Sequence, residues 1–186
     1  MSLAKLIFIS EDTPTDENGI RDLNPILSLI SRASTTNAQL VITSQVPPGF
    51  TRKLCLPNIF HQAETLRIKD AEQRAMHPEY IAVGGQGTIG KHYAEYLFAF
   101  QCPILRMTWE EAEMSKIAVN MFLASQVDTT NRLAKAAAKV GAKWENIAKA
   151  LRLDTRIGQQ SYLTPGRWQD SRHLLRDAVT LAEIEK

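Results

Sequence analysis

The run Gly85-Gln86-Gly87-Thr88-Ile89-Gly90 has the spacing G-x-G-x-x-G. Between a strand and a helix, such a turn lets backbone N–H groups approach a pyrophosphate at the helix N-terminus. A dinucleotide site of that kind also needs an acidic residue at the end of the next strand, about 20 residues on, to hold the ribose hydroxyls. The next apolar run ends Leu105-Arg106-Met107-Thr108 without one, and Glu110 already belongs to the helix that follows. The motif therefore reads first as a strand-to-helix turn without a ligand, with a stand-alone dinucleotide site at Gly85–Gly90 as the lesser alternative. His61, His77 and His92 share no spacing that would hold a metal, nor do Cys55 and Cys102, so no metal site is expected. Asn120 lies in the middle of a long helical pattern, where propensity disfavours it, which points to a polar role. Lys116, one turn earlier, reads on its own as a solvated helix lysine, and Glu64 with Arg67 as a surface ion pair.

The elements that must position these groups alternate strand and helix over the first two thirds of the chain. Leu6-Ile7-Phe8-Ile9 is a short apolar run of the buried-strand type. A polar loop from Glu11 to Gly19 follows, rich in turn formers. Asp22 can cap a helix in which Leu23, Ile26, Leu27 and Ile30 fall at helical spacing, with Pro25 in its first turn. Gln39–Thr43 is a second strand, broken at Val46-Pro47-Pro48-Gly49. Asn58–Gln62 and Tyr80–Val83 read as short strands, His92–Phe100 as a helix and Pro103–Met107 as a last strand. This alternation predicts a parallel sheet with helices on its faces.

From Trp109 to Val140 there is neither proline nor glycine. Ala112, Ile117, Met121, Leu123, Ala124, Val127, Leu133, Ala137 and Val140 form an apolar stripe that drifts around a helix. Thr108 is a good N-cap, Glu110, Glu111 and Glu113 suit the positive end of the dipole, and Gly141 is a good stop. Such a helix would be ~45 Å long at 1.5 Å per residue. That length is expected to link two parts of the protein, or to pack against a second copy. Trp144–Leu151 is a further helix, and the remainder is mixed. Trp109 and Trp144 read as packing anchors; Trp168, in a polar loop, is open to a partner.

Composition sets the outer bounds. The chain has 186 residues, enough for one domain or for one domain plus a helical extension. Hydrophobic residues make up 44% and charged residues 23%, as in globular proteins. A net charge of +2 gives no argument for nucleic acid or a membrane surface as partner. No apolar run approaches the ~20 residues of a membrane span. The acidic residues Glu11, Asp12, Asp16 and Glu17 follow the start at once, so no signal peptide is expected. Two cysteines make no disulfide framework, and reduced thiols in a cytoplasmic protein are the expectation.

Several stretches, taken in order, resemble one family. Glu113-Met114-Ser115-Lys116-Ile117-Ala118-Val119-Asn120-Met121-Phe122-Leu123-Ala124, then Asn131, Lys139-Val140-Gly141-Ala142-Lys143-Trp144 and Leu153-Asp154-Thr155-Arg156-Ile157-Gly158, are similar to the central domain of UDP-glucose/GDP-mannose dehydrogenases. Thr13-Pro14-Thr15-Asp16, Ser44-Gln45-Val46-Pro47-Pro48-Gly49 and Glu64-Thr65-Leu66-Arg67 resemble the second half of that family's NAD-binding domain. The resemblance implies an α/β fold: a partial Rossmann-like parallel sheet, then a long helix and a small all-α region. Residues 1–108 would be half of an NAD-binding domain, and 109–186 the linking or dimerisation helix with the central helical domain. It implies NAD as cofactor and a nucleotide sugar as substrate, oxidised at C6 through a covalent cysteine adduct. A thiolate traps the aldehyde, a lysine and an asparagine stabilise the oxyanion, and carboxylates move protons. By that resemblance Lys116 and Asn120 are the lysine and asparagine, Glu64 and Asp177 are carboxylates of the site, and Thr13, Pro14, Ser44 and Gln45 contact the cofactor.

The departures from the pattern are specific. The family's glycine-rich loop ends Cys-Phe-Pro-Lys-Asp; here Pro165-Gly166-Arg167-Trp168-Gln169-Asp170-Ser171-Arg172-His173-Leu174-Leu175-Arg176-Asp177 stands in its place, with His173 at the cysteine position. Gln45 replaces a threonine and Ile68 a second glutamate. The family's own phosphate-binding loop and its nucleotide-sugar domain would lie outside the two ends of this sequence. In a sheet ordered 3-2-1-4-5-6, Leu6–Ile9 would be the fourth strand, left with an open apolar edge. Two functions are therefore expected from different classes. One is a nucleotide-sugar dehydrogenase relative that is inactive alone. The other is a non-catalytic assembly module that pairs as a homodimer, or with a complementary chain, through the long helix or the strand edge.

Overall fold

Nine elements of the first unit alternate along the chain: β1 (Leu6–Ile9), α1 (Asn24–Ala33), β2 (Gln39–Ile42), α2 (Phe50–Lys53), β3 (Ile59–Ala63), α3 (Ala71–Met76), β4 (Ile81–Gly84), α4 (Lys91–Phe98) and β5 (Ile104–Met107). They belong to a computed structural model that describes residues 4–64, 66 and 70–186. The chain divides into two units, Met1–Thr15 with Arg21–Lys116, and Asp16–Ile20 with Ile117–Lys186.

The sheet of the first unit has the order β1-β2-β3-β4-β5. β1 pairs with β2, β2 with β3 and β4 with β5 in parallel. β3 and β4 run antiparallel, with Gln62 opposite Val83. The expected parallel sheet is present as a mostly parallel one, with the β3–β4 pair as the departure. A parallel return needs a crossover that packs on the sheet, usually a helix. The helix available between β3 and β4 is α3, of six residues, and none of its side chains is buried. Among the described residues β1 has no strand on its outer side.

Both faces of the central strands are covered, and β2 and β4 accordingly bury apolar residues on both sides: Leu40, Val41 and Ile42 in one, Ile81, Ala82 and Val83 in the other. On one face Ile9, Leu40, Ile42 and Ile59 pack with Ile26 and Ile30 of α1 and with Phe50. On the other Val41, Phe60, Ile81 and Val83 pack with Tyr93 and Leu97 of α4. The expectation that Asp22 caps α1 is corrected by one residue: the N-cap is Leu23, with no side-chain cap bond, while Asp22 before it accepts the Asn24 N–H at 2.9 Å and Pro25 sits in the first turn.

The helix α5 (Trp109–Lys139) runs without a break as read from the sequence. Thr108 and Glu111 form a reciprocal cap: the Glu111 N–H donates to Thr108 Oγ1, and the Thr108 N–H donates to Glu111 Oε2 at 2.7 Å. Gly141, at φ 72°, ends it.

The second unit adds α6 (Trp144–Leu153) and α7 (Arg172–Ile184), the latter entered through a 3-10 turn, Trp168–Asp170. The sequence reading left α7 in a mixed remainder because its start, Arg-His-Leu-Leu, carries no strong cap residue side chain in contact. The segment before it is pinned to α5 by side chains. Gln126 Oε1 accepts the Tyr162 N–H, Thr130 Oγ1 donates to Tyr162 O, and Asn131 both donates to and accepts from the Gly166 backbone at 2.7 and 2.9 Å. Trp144 Nε1 donates to Leu163 O, and Trp168 Nε1 to Asp128 Oδ1. Trp168 is thus held inside its own unit.

The apolar stripe of α5 was expected to lack a partner within the chain. That is corrected: Ala112, Ile117, Ala124, Val127 and Ala137 are buried, and only Leu133 and Val140 of the stripe are exposed.

His61 of β3 is 2% exposed, and burial pushes its imidazole down to about 4. The native chain therefore resists a proton that the unfolded chain accepts near 6.5. Stability should be full above pH 6.5 and fall as pH drops toward 4, by at most about 3 kcal/mol from this residue. The check is the urea midpoint at pH 7 and pH 4.5 for the wild type and His61→Leu. The wild type should lose more between the two; equal losses would contradict the assignment.

Candidate functional site

Because β1, β2 and β3 are parallel, their carboxyl ends lie on one edge of the sheet, the edge where open α/β sheets place ligands. Four of the expected residues leave from that edge. Thr13 follows β1, Ser44 and Gln45 follow β2, and Glu64 follows β3 directly. The loops are tied to one another by hydroxyl groups: Thr13 Oγ1 donates to Gln45 O at 3.3 Å, and Ser44 Oγ lies 2.5 Å from Glu11 O. Pro14 O accepts the Asp22 N–H at 2.8 Å, which closes the polar loop after β1. Thr13, Pro14, Ser44 and Gln45 carry hydroxyl, amide and ring groups and no cation. That donor set fits the uncharged carboxamide-ribose end of a dinucleotide better than its diphosphate.

The glycine motif belongs to the opposite edge. β4 is antiparallel to β3, so its carboxyl end, and Gly85–Gly90 after it, lie beside the amino ends of β2 and β3. Each glycine has a structural reason. A Cβ on Gly85 would come within 2.4 Å of the Phe60 ring, and Gly87 has φ 86°. The Gly90 N–H at the start of α4 donates to Gln39 Oε1 at 3.0 Å, so a side chain of β2 already takes the place of an anion.

Glu64 and Lys116 come together within the first unit. Partial burial raises the Glu64 carboxyl above the usual range, and the nearby Lys116 ammonium opposes that shift. The reading of Glu64 with Arg67 as a surface pair, and the replacement at Ile68, fall on residues outside those described, as does Thr65.

Asn120 and Asp177 come together within the second unit. Asn120 Nδ2 donates to Asp177 Oδ2 at 2.6 Å, with Asn120 7% and Asp177 0% exposed. The mid-helix asparagine has its polar role here. α7 is seated by a turn in which Asp16 Oδ1 accepts the Asn18 and Ile20 N–H groups, and Gly19 packs on Leu175 and Val179. His173 stands exposed in the first turn of α7.

One residue escaped the sequence reading. Glu113, 1% exposed, accepts the Gly49 N–H at 2.5 Å and the Thr51 N–H at 2.8 Å. Burial raises its carboxyl, against the two hydrogen bonds. The signal available was indirect: α2 starts after Pro47-Pro48-Gly49 with no capping side chain of its own. Among the described residues no three His, Cys, Asp or Glu side chains are grouped to hold a metal.

Comparison with known proteins agrees with this geometry. Residues 110–185 match the UDP-glucose/GDP-mannose dehydrogenase family, central domain. The chain is 30% identical over 199 residues to UDP-glucose 6-dehydrogenase YwqF of Bacillus subtilis, covering 99% of this chain and 45% of that protein. It is 30% identical over 173 residues to an uncharacterized protein of Methanocaldococcus jannaschii, covering 83% of this chain and 19% of the other. A ternary-complex crystal structure of GDP-mannose dehydrogenase from Pseudomonas aeruginosa superposes with a TM-score of 0.73 at 23% identity, over 96% of this chain and 48% of that one. The chain thus spans less than half the length of each of these relatives. The mostly parallel sheet and its helices are those of Rossmann-like dehydrogenases. Residues 110–185 carry the central domain of the UDP-glucose/GDP-mannose dehydrogenase family, and the relatives support placing the chain in that family.

Removing one partner of the buried pair should cost far more than replacing both. Asn120→Leu, which leaves the Asp177 carboxylate facing an apolar group, is expected to destabilise the chain by about 3 kcal/mol in urea titrations. In a double-mutant cycle with Asp177→Leu the two losses should be clearly non-additive. Additive losses would mean that the pair is not coupled.

Proposed function

We propose that this chain is a nucleotide-sugar dehydrogenase relative that retains the positioning groups of the site and lacks its nucleophile. The observation that carries the reading is the fully buried Asn120–Asp177 pair beside the sequence stretch where the family's cysteine is replaced by His173. An asparagine held by a buried carboxylate keeps its remaining amide groups oriented, which is what stabilising an oxyanion requires. Lys116 supplies a positive charge one turn earlier on the same helix, and Glu64 a carboxyl that partial burial raises above its usual range. NAD, when bound, would accept hydride; the Thr13–Pro14 and Ser44–Gln45 loops would hold its uncharged end. A thiohemiacetal needs a thiolate, and an exposed imidazole does not replace one in a second hydride transfer. The reaction class and the free thiols Cys55 and Cys102 suit a cytoplasmic setting. Among the described residues no helix is long and apolar enough to cross a membrane.

The test is to incubate the purified chain with NAD and UDP-glucose, following NADH by absorbance and the acid by mass spectrometry. No steady NADH formation and no glucuronate are expected. Sustained formation of both would overturn the reading.

A second proposal concerns self-association, now through a different face of α5. Ala118, Phe122, Ser125, Thr129, Leu133, Ala136 and Val140 follow one another at spacings of four and three, so they share one side of the helix. Phe122 is 73% and Val140 80% exposed. The family is expected, by resemblance, to pair through this helix. Leu123 is half-buried and Val127 buried within the chain, so the seam is better probed at Phe122→Glu and Leu133→Glu. These variants should sediment as monomers where the wild type is a dimer; a monomeric wild type at tens of micromolar would remove the proposal.

A further inference from the structure

We infer that Glu113 is a positioning residue, which ties the loop leaving the carboxyl end of β2 to α5 and so fixes Ser44 and Gln45 in a set relation to Lys116. The inference rests on the proposal that this loop holds the cofactor, and deepens it.

The backbone of the loop shows why a carboxylate is needed. Pro47 and Pro48 have no N–H to give. The next donors are the N–H groups of Gly49, Phe50 and Thr51, at the start of a four-residue helix with no capping side chain of its own. Phe50 N–H donates to Pro47 O at 3.1 Å. The other two donate to the two oxygens of Glu113. Glu113 and Thr51 are each 1% exposed, so water is not at hand to substitute. A single acceptor oxygen would satisfy one amide; the forked carboxylate satisfies both.

The same contact sets the phase of α5. Trp109 Nε1 donates to Ile59 O at 3.1 Å at the amino end of β3. Glu110 forms a bidentate pair with Arg52 of α2, whose guanidinium lies 4.9 Å from the Trp109 ring centre. Lys116, two turns on from Trp109 along the same helix, is the positive charge that acts on Glu64. A slip of one residue would rotate every α5 side chain by about 100° and separate both contacts. Glu110 and Arg52 are exposed enough for solvent to compete with them, whereas Glu113 is sealed.

The experiment is hydrogen exchange on the full chain, with NAD affinity as a second arm. Glu113→Ala should accelerate exchange at Gly49 and Thr51 about tenfold or more, the equivalent of one lost hydrogen bond. Amides of β3 and α4 should be unchanged. Glu113→Gln, which keeps the volume and one acceptor, should fall between Ala and wild type. NAD affinity should weaken in the same order. Unaltered exchange at both amides in a folded Glu113→Ala would overturn the inference; if that variant does not fold, unaltered exchange in Glu113→Gln would do so. A wild type with no affinity for NAD would remove the cofactor reading of the loop, and the exchange comparison would still decide the tie.

Discussion

The unbroken helix α5 is the constraint on which the rest of this structure depends. Its first turns serve the sheet unit, through Trp109 on Ile59 and Glu113 on the Gly49–Thr51 amides. Its later turns serve the helical unit, through Asn120 on Asp177 and through Gln126, Thr130 and Asn131 on the segment from Tyr162 to Gly166. Most of these contacts are polar groups that are buried or partly buried. Such contacts add little net stability when made and cost much when broken, so they specify register more than they hold the fold together. The apolar clusters on the two sheet faces supply the burial, and the polar contacts on α5 decide which residue of the helix faces which loop.

Each unit holds one coupled pair of its own: a partly desolvated Glu64 near Lys116 in the first, and a buried Asn120–Asp177 bond in the second. Under the proposed function these are groups that orient and stabilise. Under the same proposal His173, exposed at the start of α7, stands where the nucleophile would be. The segment leading to it is held by Asn131 and Asp128.

The strands, α1, α4, α5 and α6 were legible from periodicity and caps. Thr108 and Gly141 act where their types suggested, because cap chemistry is local. Three things were not legible, each because it depends on distant residues. The direction of β4 depends on whether the residues before it can pack as a crossover helix, and α3 buries none of its side chains. The burial of Val127 and Ala137 depends on tertiary packing that the helix's own pattern does not show. Glu113 looked like one more acidic residue in a helix start, and only the fold brings it to two amides more than 60 positions away in sequence. The G-x-G-x-x-G motif is the converse case. Its spacing suits a phosphate, yet Phe60, the φ of Gly87 and the Gln39 cap account for the glycines without one.

The most direct test of this account is residue-resolved hydrogen exchange along α5 in the intact chain. The account predicts slow, even exchange from Ala112 through Thr130, including Lys116 and Ile117 where one unit gives way to the other. Exchange should quicken only toward Lys139. Fast exchange confined to the residues around Lys116 and Ile117 would show a hinge in place of a continuous helix, and would contradict an unbroken α5.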